Sequence, residues 1–502
     1  MPTKLSANPA STMPAGVVPL FFIQIVCTLG FSVLYSSLVL YMTNKLGFDK
    51  SLSSLIMGVF VAYNYGLHLL GGIFAGRFIS NRLLFCLGMA AQLIGCLLLS
   101  NTNETFMYYG LAVFLTGSGL NVTCLNCMLT QLFDADDTRR ESAFFWNYAG
   151  MNFGFLIGFT MSGFFEISQS YGDLFLLSSL GNVFAVIICV FHWSKFQDKG
   201  TIWAEKDRPT QIRHGVGVVL FILAMPIVLR HLLYQVVFAS VFVLVAAVLM
   251  FVILTYVAYQ QEDKQIRDKI LAFLVLTLMG MVFFTLYGTA PMGLTHFIDH
   301  NVDRAFGNSI IPPQWFQNVN TIAIILGGPL LSMAINRARK NGKQILLTQQ
   351  FFLALFLISA GFLILPVGIR FASSLGFVSP SWIVASFLFQ SIGELFISPV
   401  GYAMVGALIP PSMQGVMMGV WMMTSGVGST LAGYSSWWMT VGQASSDPII
   451  TNTNYSYVFS MLGLITLIVS ILLLIITPKL NQLLAEKPLS AENADAEDPV
   501  LE

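Results

Sequence analysis

The sequence predicts an all-α membrane protein whose fourteen spans fall into groups of six, two and six, and three observations carry that reading. The chain has 502 residues, of which 56% are hydrophobic and only 10% charged. Soluble proteins carry about 25% charged residues, so most of this chain belongs in lipid. Its apolar residues gather into runs of the length a helix needs to cross the hydrocarbon core, about 20 residues. The longest polar segment between runs, 195–213, follows the sixth of them and suits a linker between two halves. Net charge is zero, which argues against a nucleic-acid partner.

Taken in order, the predicted spans are 17–43, 54–76, 82–100, 106–133, 142–166, 172–194, 215–233, 235–259, 270–293, 314–336, 346–370, 379–408, 414–440 and 456–477. Residues 215–259 could form one long helix, but Arg230 and His231 would then lie at bilayer depth, so the run is divided there. Lys and Arg in the loops fix the orientation. With the N-terminus inside, cytoplasmic segments hold 19 of the 24 basic residues, from Lys4 through Arg77, Arg139 and the 195–213 segment to Lys343 and Lys487. Lys45, Lys50, Arg230, Arg304 and Arg370 remain outside. Both termini are therefore expected in the cytoplasm, with the chain in the inner or plasma membrane. No short apolar segment with a small-residue cleavage site precedes the first span, so no removable signal peptide is expected.

The expected organisation is a tail (1–16), a six-helix bundle (17–194), a linker with a two-helix hairpin (195–269), a second six-helix bundle (270–477) and a disordered cytoplasmic tail (478–502). Two such bundles would enclose a central site. Neither the repeated pore loops of a channel nor a GxxxxGK[ST] phosphate loop is present, so no cofactor and no enzymatic reaction are expected.

One acidic residue, Glu394, lies well inside a span; every other Asp or Glu falls in a loop, a tail or at a span end. A carboxylate at that depth costs roughly 2.5–3.5 kcal/mol on insertion scales and marks a substrate or ion path by default. The plain alternative is an acid satisfied by hydroxyls or backbone. Tyr65 and His68 lie three apart on one face of the second span, and His68 is a proton-carrying candidate, although most such histidines are simply hydrogen-bonded. His296 and His300, four apart, are expected in a solvated external span end, with no HExxH arrangement and no metal. The six cysteines lie within spans, and Cys124-x-x-Cys127 reads as packing. Asp134, Asp136 and Asp137 beside Arg139 and Arg140 suit an ion-pair gate or plain solvation equally. Gly419, Gly426 and Gly428 with Ser425 and Ser429 read as close helix packing.

Three stretches give a closer identification. Gly393-Glu394-Leu395-Phe396-Ile397-Ser398-Pro399-Val400-Gly401 resembles the GELxxSPxG signature of the proton-dependent oligopeptide transporters, a major-facilitator family, and Met417-Met418-Gly419-Val420-Trp421 resembles their MMGxW stretch. Asn301-Val302-Asp303-Arg304, leading to Ile311-Pro312-Pro313-Gln314-Trp315-Phe316-Gln317-Asn318-Val319-Asn320, is similar to NVDR…IPPxxFQxxN. Asn147-Tyr148-Ala149-Gly150-Met151-Asn152-Phe153-Gly154 is similar to FYxxxNxG. The resemblance runs across nearly all of 17–477 and includes the inserted hairpin of bacterial members. It implies a major-facilitator fold, a functional monomer, and secondary active transport of di- and tripeptides or peptide-like amines, with Glu394 facing the substrate ammonium. By the same alignment Tyr65, Asn152, Asn320, Ser398 and Trp421 are retained around the cavity.

The departures define what is unusual. Where the family has ExxER, this chain reads Gln24-Ile25-Val26-Cys27-Thr28. An arginine implicated in gripping the peptide carboxylate aligns with Tyr35, the paired family tyrosines with Phe31 and Ser32, and a fourth-helix lysine with Val122; the acid after the second helix is Gly76, though Arg77 remains. One wall is thus expected to be neutral, built from Gln24, Cys27, Thr28, Tyr35 and Asn121. Unpaired carboxylates are costly in such a wall, so simple zwitterionic dipeptides are expected to bind poorly. With ExxER gone, Glu394 is left to carry a proton, and a site that holds either a proton or an amine suits exchange as well as the family's symport. The rival readings are an exporter or antiporter of a non-peptide metabolite, siderophore or drug, and a membrane sensor that binds without transport.

Overall fold

The computed structural model describes residues 13–134, 137, 139–342, 346–410, 413–443 and 445–484. Lys4, Asp136, Lys343, Lys487 and the tail beyond Leu484 lie outside the described residues. The first bundle is α1 (Val17–Leu40, prolonged by one π turn, Tyr41–Lys45), α2 (Lys50–Phe74), α3 (Asn81–Leu99), α4 (Glu104–Thr130), α5 (Arg139–Ile167) and α6 (Tyr171–Phe191). The inserted hairpin is α7 (Arg208–Tyr234) and α8 (Val236–Tyr259). The second bundle opens with α9 (Lys264–Tyr287), which passes through a π turn into the short α10 (Thr295–Asn301). After a two-stranded ribbon, β1 (Ala305–Phe306) and β2 (Ser309–Ile310), follow α11 (Pro313–Lys340), α12 (Leu347–Arg370), α13 (Pro380–Leu408), α14 (Gln414–Thr440) and α15 (Pro448–Leu484).

Each predicted span has its helix, and the division at Arg230–His231 falls near the α7–α8 turn at Gln235. The differences are local. The linker is shorter than the polar run suggested, because α7 starts at Arg208, where the Asp207 side chain accepts from the Thr210 amide and Pro209 fits the first turn. The remaining linker is tied to the first bundle: Trp203 N donates to the Gly76 carbonyl (2.9 Å), Asn81 Nδ2 to Asp198 (2.6 Å), and Lys206 Nζ to the Arg77 carbonyl (2.8 Å). Asp137 pairs with Arg139 at 2.6 Å, and that guanidinium holds the Asp137 carboxyl below its ordinary range.

Twelve described helices are long and apolar enough to cross a membrane on composition alone; α5 and α14 fall short. These two owe their place to small residues that let neighbouring backbones close in. Along α5 a four-residue repeat, Gly150, Gly154, Gly158, Ser162 and Glu166, faces α1 and the turn after it. A Cβ at Gly154 would lie 2.6 Å from the Ile25 carbonyl, Gly158 sits against Ser32, and Ser36 Oγ donates to Ser162 Oγ at 2.9 Å. Along α14, Gly419, Gly426 and Gly433 lie on Leu69, Ala62 and Ser54 of α2. The expected close packing by Gly419 and Gly426 is thus observed.

Within the first bundle α1 packs on α5 and α6, and α3 on α4 and α6; within the second, α12 packs on α13 and α15, and α9 on α14. The bundles meet through α2 with α14 and α5 with α11, while α7 lies on α4 and α8 on α9 and α14. One end of the molecule carries the β1–β2 ribbon and the other the linker.

His296 corrects the reading of a solvated span end: it is fully buried, with Nε2 3.2 Å from Ser53 Oγ of α2. The helix runs on past the predicted span end, through a kinked π turn into α10, and this carries His296 against α2 instead of into a loop. His300 is half-buried and lies 3.6 Å from Asp299, which Arg304 also contacts at 2.8 Å.

Gly154→Leu should force α5 away from α1 and lower stability by about 1–3 kcal/mol, whereas an exposed substitution such as Ser168→Ala should change it by no more than about 0.5 kcal/mol. Unfolding of the purified protein in detergent measures both.

Candidate functional site

Glu394 occupies the middle of α13, where the sequence offers no neighbouring charge. Asn320 of α11 donates from Nδ2 to Glu394 Oε2 (2.9 Å) and to Ser391 Oγ (3.0 Å). The Tyr287 hydroxyl of α9 donates to Asn320 Oδ1 (3.4 Å) and also hydrogen-bonds Glu394. Ser391 lies one turn before Glu394 and spends its own proton on the Phe387 carbonyl (2.6 Å), so it accepts from Asn320. Three helices of the second bundle therefore hold the carboxylate, and all of its donors are neutral.

The first bundle supplies the opposite wall. Tyr35 of α1, Tyr65 of α2 and Tyr148 of α5 lie within electrostatic reach of Glu394, and Tyr148 within reach of Tyr402 on α13. Tyr35 stacks on Phe159 (centroids 6.3 Å apart) and meets Phe31 and Phe155 at 5.8 and 6.3 Å. Deeper in the α1–α5 seam, Asn147 donates to Gln24 Oε1 (3.2 Å) and Gln24 Nε2 to Thr28 (3.1 Å). Glu394, Asn320, Tyr35, Tyr65, Tyr148, Tyr287 and Tyr402 each keep part of their surface exposed, which suits walls of a space between the bundles. The described lysines and arginines sit in loops or near helix ends, none at the depth of Glu394.

The other predicted residues are distributed differently. Ser398 lies one turn beyond Glu394 on α13 and is half-buried. Asn152 is buried and turns its amide onto its own helix, at the Tyr148 carbonyl (3.0 Å). His68 is 6% exposed, edge-on to Tyr65 at 5.9 Å, and neither ring nitrogen has a hydrogen-bond partner among the described residues. Trp421 is 2% exposed and stands in the second bundle's core, over Gly280 and Gly401 and edge-on to Phe284 and Phe351. Gln24 belongs to the seam with Asn147 rather than to the Glu394 cluster.

Tyr287, Ser391, Tyr402 and Glu166 escaped the sequence reading, and Asn147 and Tyr148 entered it only as part of a family stretch. Ser391 was within reach of it, being three residues from Glu394 on the same face. Glu166 was also within reach, since it ends the four-residue stripe of α5. Tyr287 carries no local signal, because only the tertiary packing of α9 beside α11 and α13 turns it to the carboxylate.

With this geometry in view, comparison with known proteins is decisive. A model of the POT family matches residues 78–455, more than half of the chain. The chain belongs to the POT family. Dipeptide and tripeptide permease A of Enterobacter sp. (strain 638) is 28% identical over 97% of this chain and 96% of its own. The same permease of Chromobacterium violaceum is 29% identical over 93% and 94%, and that of Escherichia coli (strain K12) 28% over 96% of each. Among solved structures, a peptide transporter POT in complex with sulfate superimposes with a TM-score of 0.82 at 20% identity, over 95% of this chain and 99% of that one. A POT family transporter in complex with a thioalcohol-conjugated peptide gives 0.79 at 22% identity, over 93% and 96%. The major-facilitator fold with two inserted helices is thereby established, and this POT chain is a membrane transporter rather than an enzyme.

Two of the predicted site residues separate by an experiment on stability. Trp421→Ala opens a cavity in a packed core and should cost about 3–5 kcal/mol. Glu394→Gln keeps the shape of a half-buried side chain and should cost less than about 1 kcal/mol. Thermal unfolding of the two variants in detergent checks the contrast.

Proposed function

We propose that this chain carries small amine-bearing peptides or peptide-like solutes across the cell membrane, both termini being cytoplasmic and the ribbon end external. The observation that carries this reading is Glu394, a carboxylate at membrane depth held by Asn320 and Tyr287 on one side of a space walled from both bundles. An ammonium entering that space meets an anion with no competing cation among the described residues, and the charge-assisted bond is about twice as strong as a neutral one. The tyrosine hydroxyls supply further acceptors, and the ring faces of Tyr35 and its neighbours attract cations.

The same wall sets the selectivity. Across from Glu394 stands Tyr35, packed among Phe31, Phe155 and Phe159, and among the described residues no cation lies beside it to match a substrate carboxylate. A free dipeptide would bring a carboxylate into that wall and leave it unpaired, which is costly in a low-dielectric space. The favoured substrate carries one ammonium and an uncharged far end, as in a peptide amide, a peptide ester or an apolar amine.

Glu394 is also the proton carrier of this reading. A carboxylate that holds either a proton or an ammonium couples the two by exclusion, so amine flux in one direction accompanies proton flux in the other. His68, unpartnered beside Tyr65, is the second proton-accepting group near the space.

Uptake into proteoliposomes, with and without a proton gradient, tests the proposal. Ala-Ala-amide should be taken up at least about tenfold faster than Ala-Ala at equal concentration, as expected for one unpaired charge. Glu394→Gln should weaken amine uptake about 10- to 100-fold. Tight uptake of free Ala-Ala by the wild type would overturn the selectivity, and undiminished amine uptake by Glu394→Gln would overturn the role of the carboxylate.

A further inference from the structure

A second carboxylate is buried in this chain, and it lies where the two bundles meet. Glu166, in the last turn of α5, is 6% exposed and is ringed by donors. The Tyr171 hydroxyl reaches both of its oxygens (2.7 and 2.8 Å). Gln169 Nε2 donates to Oε1 at 3.0 Å and Asn44 Nδ2 to the same oxygen at 3.3 Å. The remaining donor comes from the other bundle: Gln314 Nε2 of α11, fully buried, donates to Oε2 at 2.7 Å. Asp299 of α10, of the same sign and already paired with Arg304, lies within electrostatic reach. Only a group that accepts on both atoms satisfies such a ring, and a carboxylate does so. An amide in its place would set a donor against donors.

The surroundings give the contact its meaning. At the same end, Trp315 Nε1 donates to the Thr160 carbonyl (3.1 Å), Asn318 Nδ2 to Thr160 Oγ1 (3.1 Å), and His296 meets Ser53. All of these cross from the first bundle to the second. Over its whole length α13 finds its main partners in α9, α11, α12 and α14, all within its own bundle, and Tyr148 and Tyr402, nearer the linker ends of α5 and α13, are exposed and within electrostatic reach of one another. The space around Glu394 is therefore shut at the ribbon end by polar contacts, of which, among the described residues, Glu166–Gln314 is the one made by an ionisable carboxylate.

We propose that Glu166 is a positioning residue for transport, whose bond to Gln314 latches the ribbon ends of the two bundles together and must break for the cavity to open there. The inference rests on the transporter reading but not on the identity of the substrate. Its alternative is a staple within the first bundle, since Tyr171 and Gln169 tie Glu166 to its own α5–α6 turn.

Spin labels at Ser168, after α5, and Ser309, in the ribbon, measure the latch by pulsed dipolar spectroscopy in the full chain with its native cysteines replaced; both positions are exposed. Without substrate the unmodified latch should give one short distance. Glu166→Gln and Gln314→Ala should each raise a longer-distance population about tenfold, the effect of one charge-assisted bond. Gln314→Glu, which sets two carboxylates together, should do the same should Gln314→Ala not fold. A long-distance population in either Gln314 variant supports the latch whatever substrate is later identified. Distances unchanged in both Gln314 variants would overturn it and leave Glu166 as a turn staple.

Discussion

A single carboxylate held at membrane depth without a cation beside it is the constraint that organises this molecule. Among the described residues Glu394 has no ionic partner, so its surroundings must supply hydrogen bonds; Asn320 and Tyr287 do so from α11 and α9, and Ser391 of α13 fixes the Asn320 amide. That requirement fixes how α9, α11 and α13 stand relative to one another. It also explains why the side chain is half-exposed to an internal space rather than sealed in the core, where an unpaired charge would be far more costly. A site built in this way is incomplete until a cation or a proton arrives.

The packing around it shows how a chain with so few charges positions polar groups. The small-residue stripe of α5 lets α1 approach closely enough for Ser36 to reach Ser162 and Asn147 to reach Gln24. The same stripe ends on Glu166, so one helix face serves first as a backbone seam and then as a polar contact with the other bundle. On the opposite side α14 uses its own glycines against α2, a seam without side-chain ions. The two bundles thus meet along one apolar seam and one polar seam. The polar one is concentrated at the ribbon end, which is why the space between the bundles closes there.

Much of this architecture could be read from the chain before the structure. Span lengths, the break at Arg230–His231 and the isolation of Glu394 follow from hydropathy and charge, which are local properties. The family motifs around Glu394 and Asn320 brought together two residues that do hydrogen-bond. Other assignments depended on tertiary geometry that no local pattern encodes. His296 appeared to stand at a wet helix end, yet the helix continues through a π turn into α10 and buries it against Ser53. Trp421 belongs to a conspicuous motif, but two glycines on neighbouring helices draw it into the core. Asn152 and Asn147 are equally polar and five residues apart, about 1.4 helical turns, and only the azimuth of α5 decides that Asn147 meets Gln24.

The central claim is that Glu394 holds either a proton or a substrate ammonium, and calorimetry can test it directly. Binding of Ala-Ala-amide should be titrated in two buffers of different ionisation enthalpy, for the wild type and for Glu394→Gln. The account predicts that the wild type releases a proton as the amine binds, and that the variant binds weakly with no release. Binding without proton release in the wild type, or release that persists in Glu394→Gln, would contradict it.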